Sequence, residues 1–306
     1  MQEQVRNTIR HLYHLFWRNP WSRILGDKHV TERLYRKIMH KKIDWNNPID
    51  LNEKIHWLKL YTDTSQWTLL ADKYYVRSYV EGKHLKEILI PLYGKYDSAA
   101  DIDFNELPTS FVLKTNHGSG EVVLVKDKSK IDENRVRKEM ACYLKERYGL
   151  LEGEPHYRKI KPCIIAEEYL QMPESSISTS LIDYKIWCFD GKPAYIWACY
   201  NRTKAGCDVE VHDLNWGYHP EHSVFSSHYR NGGGILPKPH YLGRMLEIAH
   251  VLSEGFPEVR VDLYEFNNKV YFGEMTFTSA GGYNYFYSQN FLQELGSMIK
   301  LPKSPK

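Results

Sequence analysis

The stretch Arg260-Val261-Asp262-Leu263-Tyr264-Glu265-Phe266-Asn267-Asn268-Lys269-Val270-Tyr271-Phe272-Gly273-Glu274 reads as two strands joined at a polar turn. Its turn decides where Asp262 and Glu274 end up. A two-residue Asn267-Asn268 turn pairs Phe266 with Lys269 and sends the two carboxylates to opposite faces. A three-residue loop pairs Phe266 with Val270 and sets Asp262 directly across from Glu274. The second register also lines Tyr264, Phe266, Val270 and Phe272 along that face, with Asn268 in the left-handed position, and it is the expected one. Facing carboxylates repel unless a cation lies between them, and oxygen ligands near phosphates suit Mg²⁺. The competing reading is one solvated carboxylate and one paired with Arg260.

Two upstream stretches belong with this hairpin. Lys114-Thr115-Asn116-His117-Gly118-Ser119-Gly120 separates the strand-like runs 111–115 and 121–125. A loop rich in Gly and Ser brings backbone N–H groups against phosphate oxygens, and a strand lysine adds a point charge. It lacks the Gly-Lys-Ser/Thr ending of a P-loop, and as a lone motif it is equally an ordinary turn. Ile164-Ile165-Ala166-Glu167-Glu168-Tyr169-Leu170 is an apolar run ending in a carboxylate pair; taken alone, it is an edge strand.

Around these, the first 70 residues read as helical. Val5, Ile9, Leu12 and Phe16 share one face with Arg6, Arg10, His14 and Arg18 largely opposite. Asp50 and Glu53 form a capping arrangement ahead of Leu51, Ile55 and Leu58. A further helix is expected over 69–80, ending at Gly82. After Pro91 strands dominate: 163–170, 182–189, 194–200, 259–266 and 270–275, with a turn at Asp190-Gly191-Lys192-Pro193. Helices are expected through Val136 and Met140, through Met245, Ile248 and Leu252, and through Phe291 and Leu295. Residues 201–239 read as the least regular part. The layout is α+β with antiparallel hairpins.

Composition narrows the function classes. The 306 residues are 42% hydrophobic and 26% charged, as in a soluble globular protein. No apolar run is long enough to span a membrane, and the start leads into no apolar signal core. Five cysteines, with Cys163, Cys188 and Cys199 in apolar runs, suit reduced buried thiols and a cytoplasmic setting. Residues 1–42 hold ten Lys and Arg against three Asp and Glu, so +7; the remainder holds 31 against 35, so −4. A basic arm thus precedes a mildly acidic body, which is no nucleic-acid binder by charge.

In order along the chain, an Asp72-Lys73 helix, the Lys114 to Gly120 loop, the Glu167-Glu168-Tyr169-Leu170 strand end and Arg260-x-Asp262…Glu274 resemble the ATP-grasp superfamily. Leu51-Asn52-Glu53-Lys54-Ile55, Asp72-Lys73-Tyr74-Tyr75-Val76-Arg77, Asp183-Tyr184-Lys185-Ile186-Trp187-Cys188-Phe189-Asp190-Gly191 and Glu274-Met275-Thr276 are similar to its TupA-like branch, found among bacterial surface-polysaccharide genes. The resemblance covers about residues 50–300. It implies two α+β subdomains clasping ATP after a helical region at 1–70, with the ATP-grasp domain at 71–300, divided at 165/166. It further implies phosphate contacts from Lys73 and Lys114, closed over by Gly118, Ser119 and Gly120. Glu167, Glu168, Tyr169 and Leu170 would form the adenine hinge, and Asp183 or Lys185 would sit near the ribose or phosphates. Asp262, Glu274 and Thr276 would hold Mg²⁺. The last stands where the family usually has Asn, which puts a second metal position in doubt. Arg260 would stabilise the tetrahedral intermediate, and residues 278–282 would shape the acceptor pocket.

The implied activity joins a carboxylate to an amine through an acylphosphate, with a sugar acid or glycan acceptor and an amino acid or amine as partners. A sugar kinase using the same ATP site and a glycosyltransferase-like glycan binder are the rival readings. His212, His219, His222 and His228 lack a helical signal, so they read as surface-loop histidines rather than metal ligands. Tyr283, Tyr285 and Tyr287 serve sugar stacking or core packing. The basic arm either docks on an anionic inner membrane leaflet or packs on the body with its arginines solvated.

Overall fold

The computed structural model describes residues 26–150, 152–172 and 177–302. The amphipathic helix expected from residue 5 lies outside the described residues. Helix α1 (Asp27–Met39) buries Thr31, Leu34 and Tyr35 and leaves Arg33, Arg36 and Lys37 exposed. This part of the basic arm packs on the body: Leu34 and Tyr35 share a cluster with Tyr283. Helix α2 (Leu51–Tyr61) starts with the expected capping box, Asp50 and Glu53 each satisfying a backbone N–H of the other.

The helix expected over 69–80 is two helices, α3 (Ser65–Ala71) and α4 (Val76–Gly82). Asp72 makes the break. Its Oδ1 accepts the backbone N–H groups of Tyr74 and Tyr75, at 2.8 and 3.1 Å, in competition with helical bonding. Apolar periodicity carries through such a break, so the sequence pattern hides it.

Two sheets follow. The first has the order β1 (Leu92–Tyr96), β4 (Ile164–Glu168), β2 (Phe111–Thr115), β3 (Val122–Val125). Helix α5 (Glu133–Tyr143) closes its core, placing Val136 and Met140 among Phe111, Leu113, Ile164 and Ala166. The second sheet has six strands in the order β10 (Lys269–Thr276), β9 (Glu258–Phe266), β5 (Asp183–Phe189), β6 (Lys192–Thr203), β7 (Gly206–His212), β8 (Tyr229–Asn231). Val261, Ile186 and Ile196 are cross-strand neighbours and share the face packed by α7 (Leu242–Ser253) through Met245, Ile248 and Leu252. Each such buried side chain contributes about 1.5–3 kcal/mol. A short α6 (Pro155–Arg158) and the terminal α8 (Gln289–Met298) complete the elements used below. Strands β7 and β8 fall within residues 201–239, read as irregular. In β7 Cys207, Val209 and Val211 alternate with Asp208, Glu210 and His212, a period-two strand signal set in a stretch otherwise rich in His, Gly and Pro.

The register of the β9–β10 hairpin differs from expectation at the turn and agrees at the carboxylates. The turn is the two-residue one: Phe266 pairs with Lys269, and Asn267 and Asn268 have φ of 47° and 58°. Positive φ at both positions is the I′ pattern, whose twist matches that of the strands. Tyr264 therefore faces Tyr271, and the expected aromatic row of Tyr264, Phe266, Val270 and Phe272 does not form. A bulge between Phe272 and Glu274 then shifts the register by one residue and sets Glu274 opposite Asp262. Gly273 occupies the bulge, where a Cβ would come within 3.0 Å of the Asp262 carbonyl oxygen. Asn268→Gly should stabilise this turn by about 0.5 kcal/mol, since Gly takes positive φ without the Cβ penalty. Calorimetry would show the higher melting temperature; a lower one contradicts the turn assignment.

Candidate functional site

The first sheet supplies a cluster of cations beside the Gly-rich loop. The broken helix places Lys73 there. Asp72 Oδ2 accepts Asn116 Nδ2 at 2.8 Å, and the Lys73 backbone N–H donates to the Asn116 carbonyl at 3.1 Å. Asn116 Oδ1 in turn accepts the Cys163 backbone N–H at 2.7 Å. These bonds fasten the α3–α4 break to the loop after β2. Lys73 Nζ then donates to the Gly118 carbonyl at 2.5 Å and lies 3.9 Å from Glu274 Oε2 on the other sheet. Lys114 Nζ is 2.6 Å from Glu167 Oε2, and Arg77 Nη1 is 3.3 Å from Glu167 Oε1. The carboxylate of Glu167 is thus occupied by cations, and the Glu168 backbone N–H donates to the Pro91 carbonyl at 3.0 Å. Gly118 is buried, while Ser119 and Gly120 are exposed at the loop tip.

The second sheet supplies the carboxylates. Arg260 lies two positions before Asp262 in β9 and so on the same face. Its Nε donates to Asp262 Oδ1 at 2.7 Å and its Nη2 to Asp262 Oδ2 at 2.8 Å. The same Nη2 reaches Thr276 Oγ1 at 3.2 Å and Glu274 Oε1 at 3.4 Å, and Nη1 donates to Ser279 Oγ at 2.7 Å. Lys185, cross-strand partner of Asp262, sits with Nζ at 2.5 Å from both Asp262 Oδ2 and Asp183 Oδ2. Arg202 adds a cation 3.5 Å from Asp183 Oδ2. Although burial opposes its charge, Asp262 is held below the usual carboxylate range by Arg260 and Lys185.

Lys73, Asp183, Lys185, Arg260, Asp262, Glu274 and Thr276 are linked by these contacts, but Asp262 is less free than a bare metal ligand. Its two oxygens each accept a charged hydrogen bond, as in the alternative reading of an ion pair with Arg260. The donor set nevertheless suits a hard cation. Asp262, Glu274 and Thr276 offer only oxygen, Glu274 is 37% exposed, and its Oε2 lies 3.9 Å from Lys73. Asp183 Oδ1 is buried without a hydrogen-bond partner, an oxygen shaped for a donor brought by a ligand.

A neighbouring buried group could not be read from sequence. Thr278, just past β10, donates its hydroxyl to Glu154 Oε1 and lies 3.4 Å from His156 Nε2. Lys59 of α2 is buried nearby. Lys59, the Glu154–His156 segment and Thr278 are far apart in the chain, and no spacing signals their meeting. Burial, reinforced by Glu152, pushes the Glu154 carboxyl up to about 7, and burial lowers the Lys59 ammonium to about 8. A raised acid stabilises the fold below its unfolded value of 4.5, and that stability fades as pH rises through about 7. A depressed lysine reverses the slope only above about 8. Urea unfolding should therefore show stability falling between about pH 5 and 7. Glu154→Gln should remove most of that fall while keeping an acceptor for Thr278; an unchanged slope contradicts the assignment. The 278–282 segment rests on α2, where a Cβ on Gly282 would approach the His56 ring to 2.6 Å.

A family model described as TupA-like ATPgrasp matches residues 53–300. Among solved structures, the D-alanine–D-alanine ligase from Bacillus anthracis complexed with ATP is similar at 13% identity and TM-score 0.42, over 80% of this chain and 72% of that one. The D-alanine–D-alanine ligase from Helicobacter pylori is similar at 15% identity and TM-score 0.42, over 82% and 69%. A RimK domain ATP-grasp protein from Sphaerobacter thermophilus is similar at 12% identity and TM-score 0.40, over 77% and 69%. No curated protein matches the chain.

Proposed function

The chain belongs to the TupA-like ATP-grasp family, and on that footing we propose that it is an ATP- and Mg²⁺-dependent ligase that joins a carboxylate to an amine through an acylphosphate. The observation that carries this reading is the meeting of two half-sites. Lys114 and the Gly118 loop come from one sheet, Arg260, Asp262 and Glu274 from the other, and Lys73, at the break between α3 and α4, lies between them.

Each residue has a role its geometry suits. Lys73 and Lys114, with backbone N–H groups of the 118–120 loop, bind phosphate oxygens. Asp262, Glu274 and Thr276 would hold Mg²⁺, which when bound offsets phosphate charge during transfer. A substrate carboxylate oxygen attacks the γ-phosphorus and ADP leaves. The amine nitrogen then attacks the acyl carbon, inorganic phosphate leaves, and the amine loses a proton. Arg260, fixed by Asp262 and Ser279, is aimed to stabilise the oxyanion of that second step. Lys185 holds Asp262 and Asp183 in place. No protein nucleophile is needed.

The substrates we assign are a sugar acid of a bacterial surface polysaccharide and an amino acid or other amine. The TupA-like motifs support this assignment. Screening sugar acids against amino acids with Mg²⁺-ATP tests it: phosphate release should require both partners together. A stable phosphorylated sugar as product would instead make the protein a kinase.

No helix of the described residues is long and apolar enough to cross a membrane. We assign the basic arm to peripheral contact with an anionic leaflet. The exposed His29, Arg33, Arg36 and Lys37 of α1, which line a groove of about 500 Å³ with Glu32, support this. Replacing Arg33, Arg36 and Lys37 with Gln should reduce sedimentation with anionic liposomes; undiminished binding of that variant contradicts the assignment.

A further inference from the structure

The loop leaving β7 carries ligand-type side chains that take no part in the ligase chemistry. His219 precedes and His222 ends a single 3-10 turn, Pro220–His222, which returns position 222 to the side of position 219. One ring nitrogen from each histidine and one carboxylate oxygen of Glu221 all lie within 4.8 Å of one another, the one such trio of His, Cys, Asp or Glu among the described residues.

The rings are held in orientation by their surroundings. His222 stacks on Phe291 of α8 with centroids 4.0 Å apart and an interplanar angle of 4°. His219 lies nearly parallel to His222 at 5.0 Å, and Tyr195 of β6 meets both rings edge-on. His219 faces Glu221 Oε1 through Nδ1 at 2.8 Å and Asp213 Oδ2 through Nε2 at 3.4 Å. Asp213 is fixed in turn, its Oδ1 accepting the backbone N–H groups of Asn215 and Gly217, both at 2.8 Å. A carboxylate on the far nitrogen of an imidazole fixes the tautomer and strengthens the near nitrogen as a ligand.

We propose that His219, Glu221 and His222 bind a first-row transition-metal ion of the zinc type, with Asp213 orienting His219. Two imidazoles and one carboxylate favour such an ion over Mg²⁺, whose all-oxygen preference fits the Asp262–Glu274 pair instead. Bonds of about 2.0–2.2 Å put tetrahedral ligand atoms roughly 3.3 Å apart, so the trio, within 4.8 Å, closes by up to roughly 1.5 Å around the ion. Glu221, 62% exposed, rotates to supply that movement, and its exposed side leaves a fourth position for water. The ion would act as a clip. The His222 carbonyl accepts the Ser288 backbone N–H at 2.8 Å, and Ser223 bridges to Tyr287. The metal would therefore fasten the segment that follows the 278–282 loop.

Titrating the full chain with zinc chloride by calorimetry, and with Co²⁺ by visible absorption, tests this directly. The expected result is one ion per chain, cobalt ligand-field bands and a raised melting temperature with zinc. Glu221→Gln, an exposed change that leaves the fold intact, should weaken binding at least tenfold. Asp213→Asn should weaken it by about 10–100-fold, while His240→Ala should bind like the wild type. The proposal is overturned by a wild-type chain that binds no stoichiometric zinc, or by Glu221→Gln and His222→Ala variants that bind it as the wild type does.

Discussion

Arg260→Met should lower ligation by about 10²–10³-fold and destabilise the fold by about 3–5 kcal/mol, the usual cost of removing one partner from a buried ion pair. Both effects come from one guanidinium, 7% exposed, that reaches Asp262, Glu274, Thr276 and Ser279. Without it, Lys185 is the one cation left on Asp262, Arg202 reaching only Asp183, and Asp262 is 1% exposed. Arg260→Lys separates charge from shape. An ammonium keeps the charge but cannot make two parallel bonds to Asp262 while also reaching Ser279. It should recover much of the stability and little of the activity. Urea unfolding and steady-state phosphate release read the two effects separately. An Arg260→Met chain as stable as wild type would show that the buried cluster is held by other groups.

Lys114→Ala should behave differently, losing nucleotide binding with little loss of stability. Lys114 is paired with Glu167, but Arg77 lies 3.3 Å from the other oxygen of that carboxylate and remains after the substitution. Glu167 is therefore not stranded as a buried, unpaired charge. The lost charge-assisted contact to phosphate corresponds to about 1.5–3 kcal/mol, or roughly 10–100-fold weaker ATP binding. Calorimetric titration with Mg²⁺-ATP would show it. Unchanged affinity would remove Lys114 from the phosphate site and leave it a structural partner of Glu167.

Much of this architecture is legible in the sequence because local chemistry dictates it. The capping box at Asp50 and Glu53 and the apolar faces of α5, α7 and α8 follow from spacing alone. The β9–β10 hairpin shows the limit. Asp262 does face Glu274, but through a two-residue turn plus a bulge at Gly273, not through a three-residue loop. A bulge is set by how two strands pack on the remainder of the sheet, and a glycine in a strand does not by itself locate one. The break at Asp72 is hidden for a similar reason, since α3 and α4 carry compatible apolar patterns on either side. Glu154 and Lys59 meet only through tertiary packing, and the short alternating run of β7 is masked by the His-, Gly- and Pro-rich stretch around it. His219 and His222 read as loop histidines until the Pro220–His222 turn brings them side by side.

The central claim is that a carboxylate is activated as an acylphosphate in the space between Lys73, Arg260 and Glu274. Its most direct measurement uses a sugar-acid substrate whose carboxylate carries oxygen-18, incubated with Mg²⁺-ATP and the amine. The account predicts that the inorganic phosphate released carries one oxygen-18 atom and that the product is an amide. Phosphate free of label, or phosphorus retained on the sugar, would contradict it.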